Sequence, residues 1–344
     1  MSEGTRNTPI PRDTLAAILE SATLAPSSHN TQPWRFELGQ TGISLFADRL
    51  RALPVNDPDD RELTISCGCA LFNLRIAAAH AGFNTECQLL PDPGDEDLLA
   101  TVSFTPVSGE EGRQTELFRA IARRRTYRKR FEPKQVPSEV LGILEESAET
   151  EGAWFQVLES EHARHQVAEL VAEGDAAQWS NPSWRRELAA WMHPRRKGDG
   201  LTVPGMVAPV AQLVVRTFDM GNGVGAKDRQ LADESPVIAA LGTAGDGVED
   251  WLKAGQALER VLLRSLGQGL QASYLNQPIQ VAVLRPKLQH LLGRSGFPQI
   301  LLRLGYPATD LPAAPRRNLQ EVVEPADSND TRMRKSSGRS LSHR

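Results

Sequence analysis

The chain has 344 residues, with 39 Lys+Arg against 43 Asp+Glu, 40% apolar residues and 6% aromatics. That length accommodates two domains or one large layered one, and a net charge of −4 with a pI near 6.0 removes any whole-protein electrostatic reason for a nucleic-acid or membrane-surface partner. Three cysteines, Cys67, Cys69 and Cys87, argue against a disulfide framework and for a reducing compartment.

Residues 1–13 lack the apolar core of a signal peptide, and no run approaches the ~18–20 uncharged apolar residues that span a bilayer. The expectation is a cytoplasmic protein with no membrane partner. The first helical pattern, PRDTLAAILESA at 11–22, places Leu15, Ile18, Leu19 and Ala22 on one face. It returns as PSEVLGILEESA at a constant offset of 126, pairing Leu15 with Leu141 and Ala22 with Ala148. A second pair follows, CGCALFNLRIAAAHAGF from Cys67 and AGQALERVLLRSLGQGL from Ala254, at an offset of 187 that matches Gly68 with Gly255. Two amphipathic helices can agree by chance, but two pairs in the same order argue for an internal duplication.

Strand-like apolar runs are expected at 34–38, 43–47, 101–105, 155–158, 211–217 and 300–304. Helices alternating with short strands in two similar halves predict an α+β fold. The halves are expected at 1–115 and 116–324, with a lid-like insert rich in Trp, Arg and Gly at about 174–206. Residues 325–344 hold five bases, two acids and almost nothing apolar, which reads as a disordered tail. The body that precedes the tail is therefore more acidic than the whole.

Three segments could carry chemistry. The first, 25–36, reads APSSHNTQPWRF at a helix–strand junction, where Ser28, His29, Asn30, Thr31 and Gln32 could meet a ligand's hydrogen-bonding edge or simply cap a turn fixed by Pro26 and Pro33. The second, 119–130, holds seven bases. It reads as a solvated basic face, as a weak nucleic-acid patch, or as a phosphate receptor in which Arg124, Thr126 and Arg128 project together from an extended segment. The third is Arg316-Arg317-Asn318-Leu319, after the turn Leu304-Gly305-Tyr306-Pro307.

Other motifs are set aside. Gly221-Asn222-Gly223-Val224-Gly225-Ala226 fits a dinucleotide-binding fingerprint and follows the expected strand at 211–217, but KDRQLADESP after it lacks the period of a helix that could receive a pyrophosphate. Cys67-x-Cys69 has no partner at ligand spacing, so no metal is expected. His80, at a helix C-terminus, reads as a dipole-complementing residue.

RRRTYRKRFEPKQVPSEVLGILEESA resembles the opening of nitroreductase-fold flavoproteins (R-R-S/T-x-R-x-F followed by V/I-P-x-x-x-L). APSSHNTQPWRF is similar to their A-P-S-x-x-N-x-Q-P-W segment, and LRLGYP with RRNLQEVV to their ending. Through ALPVNDPDDRELTISCGCALFNL, WLKAGQALERVLL and SYLNQP the chain looks most like the fused, two-copy Acg-like branch found in actinobacteria. The resemblance implies a nitroreductase-like fold duplicated in tandem into a pseudo-dimeric monomer, open to further oligomerisation.

It also implies FMN at the interface of the halves. Arg124, Thr126, Arg128 and Arg316 would hold the phosphate and ribityl chain, and Ser28, His29, Asn30, Thr31 and Gln32 would face it from the other half. Asn276, Gln277 and Pro278 would lie near the reactive edge of the ring. The first half lacks an R-R-S/T-x-R segment and the second has EGAWF, residues 151–155, in place of the P-S-x-x-N turn, so one flavin site survives of two. The implied activity is NAD(P)H-dependent reduction of a nitroaromatic, quinone or similar small acceptor, with no protein side chain required as acid or base. The alternative is a non-enzymatic protein that stores FMN beneath a lid.

Overall fold

The computed structural model describes residues 10–39, 42–107, 114–193, 198–204 and 207–325. Residues 326–344 of the expected tail, and 194–197 and 205–206 of the expected lid, lie outside the described residues. Pro325 itself ends a strand.

The first half runs α1 (Arg12–Thr23), β1 (Trp34–Leu38), β2 (Gly42–Ala47), α2 (Arg61–His80), β3 (Phe83–Leu89) and β4 (Leu98–Pro106). The face read from the period of α1 is the buried one, with Ile18, Leu19 and Ala22 in the core. β1, β2, β4 and β3 form antiparallel pairs in that order. α2 is apolar all round because it is surrounded by protein. By length and composition it could cross a membrane, yet 83% of its most apolar window is buried inside the fold.

The second half starts with α3 (Thr115–Ile121), α4 (Ser138–Thr150) and β5 (Trp154–Val157). An excursion follows, made of α5 (Glu161–Ser180), α6 (Pro182–Ala190), β6 (Met192–His193), β7 (Leu201–Thr202), α7 (Ala208–Thr217) and α8 (Gly221–Asp233). The chain then resumes with β8 (Val237–Thr243), α9 (Val248–Gly267), β9 (Gln271–Tyr274), α10 (Gln277–Gln280), α11 (Arg285–Leu292), β10 (Phe297–Gly305), α12 (Leu319–Val322) and β11 (Val323–Pro325). Its sheet has the order β5-β8-β10-β9. Matching β5, β8, β10 and β9 with β1, β2, β4 and β3 gives the same order as in the first sheet. α4 and α9 likewise take the places of α1 and α2, so the fold is a mixed α+β tandem duplication.

The halves meet where α2 crosses α9. A Cβ on Gly68 would stand 2.4 Å from the Leu252 carbonyl oxygen and 3.0 Å from Gly255 Cα, and one on Gly255 would stand 2.1 Å from the Ile65 oxygen and 2.8 Å from Gly68 Cα. Ile65 and Leu252 are also 187 residues apart. The contacts are therefore reciprocal, as at a two-fold interface, and only glycine lets the backbones approach this closely. β11 then pairs in parallel with β1, with Phe36 opposite Val323, so the last segment of the second half completes the first sheet.

Three expectations change. Residues 211–217 are not a strand but the body of α7, whose Pro209 sits in the first helical turn, where its missing N–H is harmless. The glycine-rich motif does open a helix, α8, and this overturns the reason for setting it aside. A helix precedes it where a nucleotide fold needs a strand. Its glycines admit α5: Cβ atoms on Gly221 and Gly225 would meet Trp179 Cβ at 2.9 Å and the Ala172 oxygen at 3.3 Å. The excursion itself is longer than the Trp-rich stretch suggests. β1 and β2 are joined by residues 39–41, whereas 158–236 separate β5 from β8.

Candidate functional site

On one side of the α2–α9 crossing lies a cavity of about 830 Å³, within the ~300–1,000 Å³ usual for ligand pockets. Both halves and the excursion wall it. Of the residues singled out in the sequence, Ser28, His29, Asn30, Arg124, Thr126, Arg128, Asn276, Gln277 and Arg316 line it, while Thr31, Gln32 and Pro278 do not.

The basic segment is held in extended form by its neighbours. Tyr127 N donates to the Ala272 oxygen of β9 at 2.8 Å, and Tyr127 is fully buried. Arg303 of β10 donates to the carbonyls of Tyr127 at 3.1 Å and Lys129 at 3.0 Å. With Tyr127 turned inward, Arg124, Thr126 and Arg128 all reach the cavity, and Arg125 lines it as well, so the segment does not alternate strictly. Among the described residues Arg128 has no hydrogen bond or ion pair. It is open to the cavity yet ringed by protein, and desolvation lowers its pKa.

The 28–32 loop is strained: His29, Asn30 and Gln32 have φ of 49°, 55° and 53°. Crossing hydrogen bonds hold it. The Ser28 hydroxyl donates to Glu62, and Asn30 Nδ2 donates to the Pro315 oxygen at 3.2 Å and the Gly200 oxygen at 3.4 Å. Gln32 Nε2 donates to the Gly198 oxygen at 2.9 Å, its Oε1 accepts from Arg317 N at 2.9 Å, and the Thr31 carbonyl accepts from Arg51 Nε. Asn30 and Gln32 therefore tie the loop to the excursion and to the C-terminal segment.

Arg316 is placed differently from a simple phosphate ligand. Its guanidinium donates to the carbonyls of Thr23, Leu24, Ala25 and Pro315 and to Asn30 Oδ1. Its fork closes the C-terminal end of α1, where free carbonyls attract a cation. Asn276 is also engaged, accepting from Leu301 N at 3.0 Å and donating to Glu62 at 3.3 Å.

Several lining residues carried no sequence signal. Glu62, 2% exposed, looked like an ordinary acid in the first turn of α2. In the fold it accepts hydrogen bonds from Ser28, Asn276 and Gln280, with Gln280 Nε2 at 2.9 and 3.0 Å, and so joins the halves. Tyr274 and Asp175 enter from β9 and α5, while Trp179 and Trp184, from the Trp-rich stretch expected to form a lid, enter from α5 and α6. The excursion grips the first half through Trp184 Nε1 on Asn56 Oδ1 at 2.9 Å, Glu187 on the Val55 and Asn56 amides at 2.9 Å, and Asp199 on Arg51.

Five buried polar atoms on these walls have no hydrogen-bond partner: His29 Nδ1, Arg124 Nε, Tyr274 OH, Gln277 Oε1 and Asp175 Oδ2. Burial brings the His29 pKa down to about 4, with Arg128 opposing its charge and Glu62 favouring it, so the imidazole is neutral at pH 7. Burial raises Asp175 to about 7, helped by Asp228. Cys69 and Cys67 donate to the carbonyls of Gly255 and Pro33, and burial raises both thiols, which disfavours the reactive thiolate.

The nitroreductase family model matches residues 6–42, the stretch that holds α1, the strained loop and β1. Over 321 residues the chain is 34% identical to "Putative NAD(P)H nitroreductase Rv3131" of Mycobacterium tuberculosis H37Rv, covering 91% of both chains. It is 27% identical over 324 residues to "Putative NAD(P)H nitroreductase acg" of the same organism, covering 92% of this chain and 97% of that one. A crystal structure of the FMN-dependent nitroreductase NfnB from Mycobacterium smegmatis in complex with NADPH is similar at 18% identity and a TM-score of 0.41, covering 61% of this chain and 97% of that one. On the full-length similarity to the first of these relatives, the chain belongs to the nitroreductase family, in its Acg-like branch.

Proposed function

We propose that this protein is an FMN-dependent NAD(P)H oxidoreductase with one flavin site per chain, built where the halves 1–115 and 116–324 meet. The observation that carries this reading is a ligand-sized cavity walled by both halves and the excursion. Its lining residues include Arg128, which has no hydrogen bond or ion pair among the described residues, and five that each carry a buried polar atom without a hydrogen-bond partner. Buried polar groups are rarely left unpaired, because each costs about 1–3 kcal/mol. A molecule with a phosphate, a polyol chain and a hydrogen-bonding ring edge would satisfy donors and acceptors of this mixture.

In this arrangement Arg124 and Thr126 hold the phosphate, while Arg316 fixes the end of α1 against them. Arg128 and the neutral His29 offer hydrogen-bonding groups to the rest of the cofactor, and Gln277 offers its free Oε1. When bound, FMN supplies two-electron hydride chemistry. The protein positions the groups and excludes water, with Trp179, Trp184 and Leu188 of the excursion forming the apolar wall beside which a nitroaromatic, quinone or similar acceptor would lie. The names of the two mycobacterial relatives support NAD(P)H as the hydride source.

The bonds from Gly198, Asp199 and Gly200 to Gln32, Arg51 and Asn30 favour a second reading, in which the excursion stays shut and the protein stores FMN. The absorption spectrum of the purified chain tests the shared part: one FMN per chain is expected, and failure to bind added FMN rejects both readings. Steady-state NAD(P)H oxidation with nitroaromatic and quinone acceptors separates them, since a flavin-loaded protein without turnover leaves storage alone.

A further inference from the structure

Beneath the proposed phosphate end of the cavity lies an acid that none of the foregoing roles uses. Glu259 of α9 is fully buried, and its Oε1 is 3.5 Å from Arg124 Nε. The groups that face it are Arg124 from the segment after α3, Arg316 from the C-terminal segment, Cys69 and Asn73 from α2, and Tyr274 from β9. Two of these are cations, and Glu259 is the carboxylate set against them. The scaffold does not demand an acid at this position. By the offset of 187 that relates α2 to α9, Glu259 is the counterpart of Phe72, which is equally buried.

Resting on the flavin reading above, we propose that Glu259 is a positioning residue that couples anion binding at Arg124 to the uptake of one proton. Without ligand, the ionised carboxylate neutralises Arg124. A phosphate dianion arriving at the same guanidinium puts two anions against one buried fork, an arrangement that strongly disfavours the carboxylate. Glu259 then takes up one proton from solvent and becomes a neutral acid, and the Arg124 charge passes to the phosphate. No other bond forms or breaks. Burial already holds the Glu259 carboxyl at about 7, against the pull of Arg124, Asn73 and Arg316, so small changes at Arg124 decide its charge near neutral pH.

The sign follows from linkage. The bound state holds more protons than the free state between the free and the raised pKa, so FMN affinity falls as pH rises through that window, approaching tenfold per pH unit. Above about pH 7.5 the phosphate, with its second pKa near 6, is already a dianion and does not contribute. Full-length protein freed of flavin would be titrated with FMN between pH 7.5 and 9 in buffers of different ionisation enthalpy, reading heat for proton uptake and flavin fluorescence for Kd.

Uptake of a large fraction of one proton, lost in Glu259→Gln together with the pH slope, is the expected result. Asp175 titrates in the same range, so Asp175→Asn is the control and should retain the uptake. This variant keeps the test decisive should Glu259→Gln fail to fold. FMN binding with no proton uptake, or uptake that vanishes in Asp175→Asn, overturns the role of Glu259 and leaves the flavin site standing. Absence of FMN binding at every pH overturns both.

Discussion

The duplicated scaffold has two seams, and they differ in what neutralises their buried arginines. At the seam with the cavity, Arg128 is unpaired among the described residues, and Arg124 has Glu259 as its acid while its Nη2 donates to the Leu24 carbonyl oxygen at 3.2 Å. At the opposite seam, Glu151 occupies the place that Ala25 holds in the first copy, Gln256 that of Cys69, and Cys87 that of Tyr274. There Arg75 Nη1 donates to Glu151 and to Gln256, each at 2.7 Å, and Arg260 Nη1 donates to Glu151 at 2.9 Å. Both guanidinium groups also flank the Phe72 ring, at 5.7 and 5.9 Å. One seam carries its own anion, while at the other Arg128 has no acid partner among the described residues, and in the proposed function the FMN phosphate end supplies the anion. With the flavin site as proposed, local charge pairing more than backbone shape sets which seam of this duplicated fold takes a ligand.

The largest perturbation removes the comparison itself. Gly255→Val would drive a branched side chain into the Ile65 carbonyl and Gly68, opening both seams at once. A loss of ~3 kcal/mol or more, or no folded protein, is expected in chemical denaturation. A native-like midpoint would show that the crossing is not as tight as described.

Arg124→Ala and Arg128→Ala act on one seam only. Each removes a charge-assisted contact of roughly 1.5–3 kcal/mol, so the FMN Kd should rise about tenfold or more in each, and the double variant should purify colourless. Normal flavin content in the double variant would move the cofactor elsewhere.

Glu151→Ala tests the closed seam. It leaves Arg75 and Arg260 without their carboxylate, and because Arg75 is partly exposed the expected loss is about 1–2 kcal/mol. FMN stoichiometry should stay at one per chain, and a second equivalent would show that the charge pair alone had blocked a second site.

The last effect is a matter of pH. Folded His29 stays neutral down to about pH 4, whereas the unfolded chain binds the proton near 6.5. The unfolded state therefore holds more protons between these values, and stability falls as pH drops through that window, by roughly 1–3 kcal/mol. His29→Asn, which tolerates the positive φ, should flatten this part of the melting-temperature profile relative to the parent. An unchanged slope would place the titration on other groups.

Much of the plan was legible in the sequence because it lies in local periodicity. The helix at 11–22 and its copy at 137–148 have their buried faces written at i, i+3 and i+4, and constant offsets exposed the duplication and the two glycine-centred helices. β8 and β9 were missed. They are short buried runs, Val-Ile-Ala-Ala-Leu-Gly-Thr and Gln-Ala-Ser-Tyr, with no alternation to mark them. The apolar run at 211–217 misled because its apolar residues divide between two faces of a helix, with Val215 buried and Leu213 more than 60% open. In the candidate site the basic segment and the 28–30 loop were visible from composition and order, whereas Glu62, Tyr274, Asp175 and Glu259 were not. Each of these is a single ordinary residue whose surroundings come from another element.

The sequence by itself determined the two-copy plan and the separation of a basic segment in one half from a polar loop in the other, because helix faces, turn residues and charge runs are short-range properties. Which polar atoms are left without partners was decided only by the tertiary structure. Arg316 ends up on the carbonyls of α1, Asn30 and Gln32 on the excursion, and Arg128, among the described residues, on no hydrogen-bond or ion-pair partner. Hydrogen-bond satisfaction depends on groups hundreds of residues apart meeting within about 3 Å, and only the folded chain fixes those meetings.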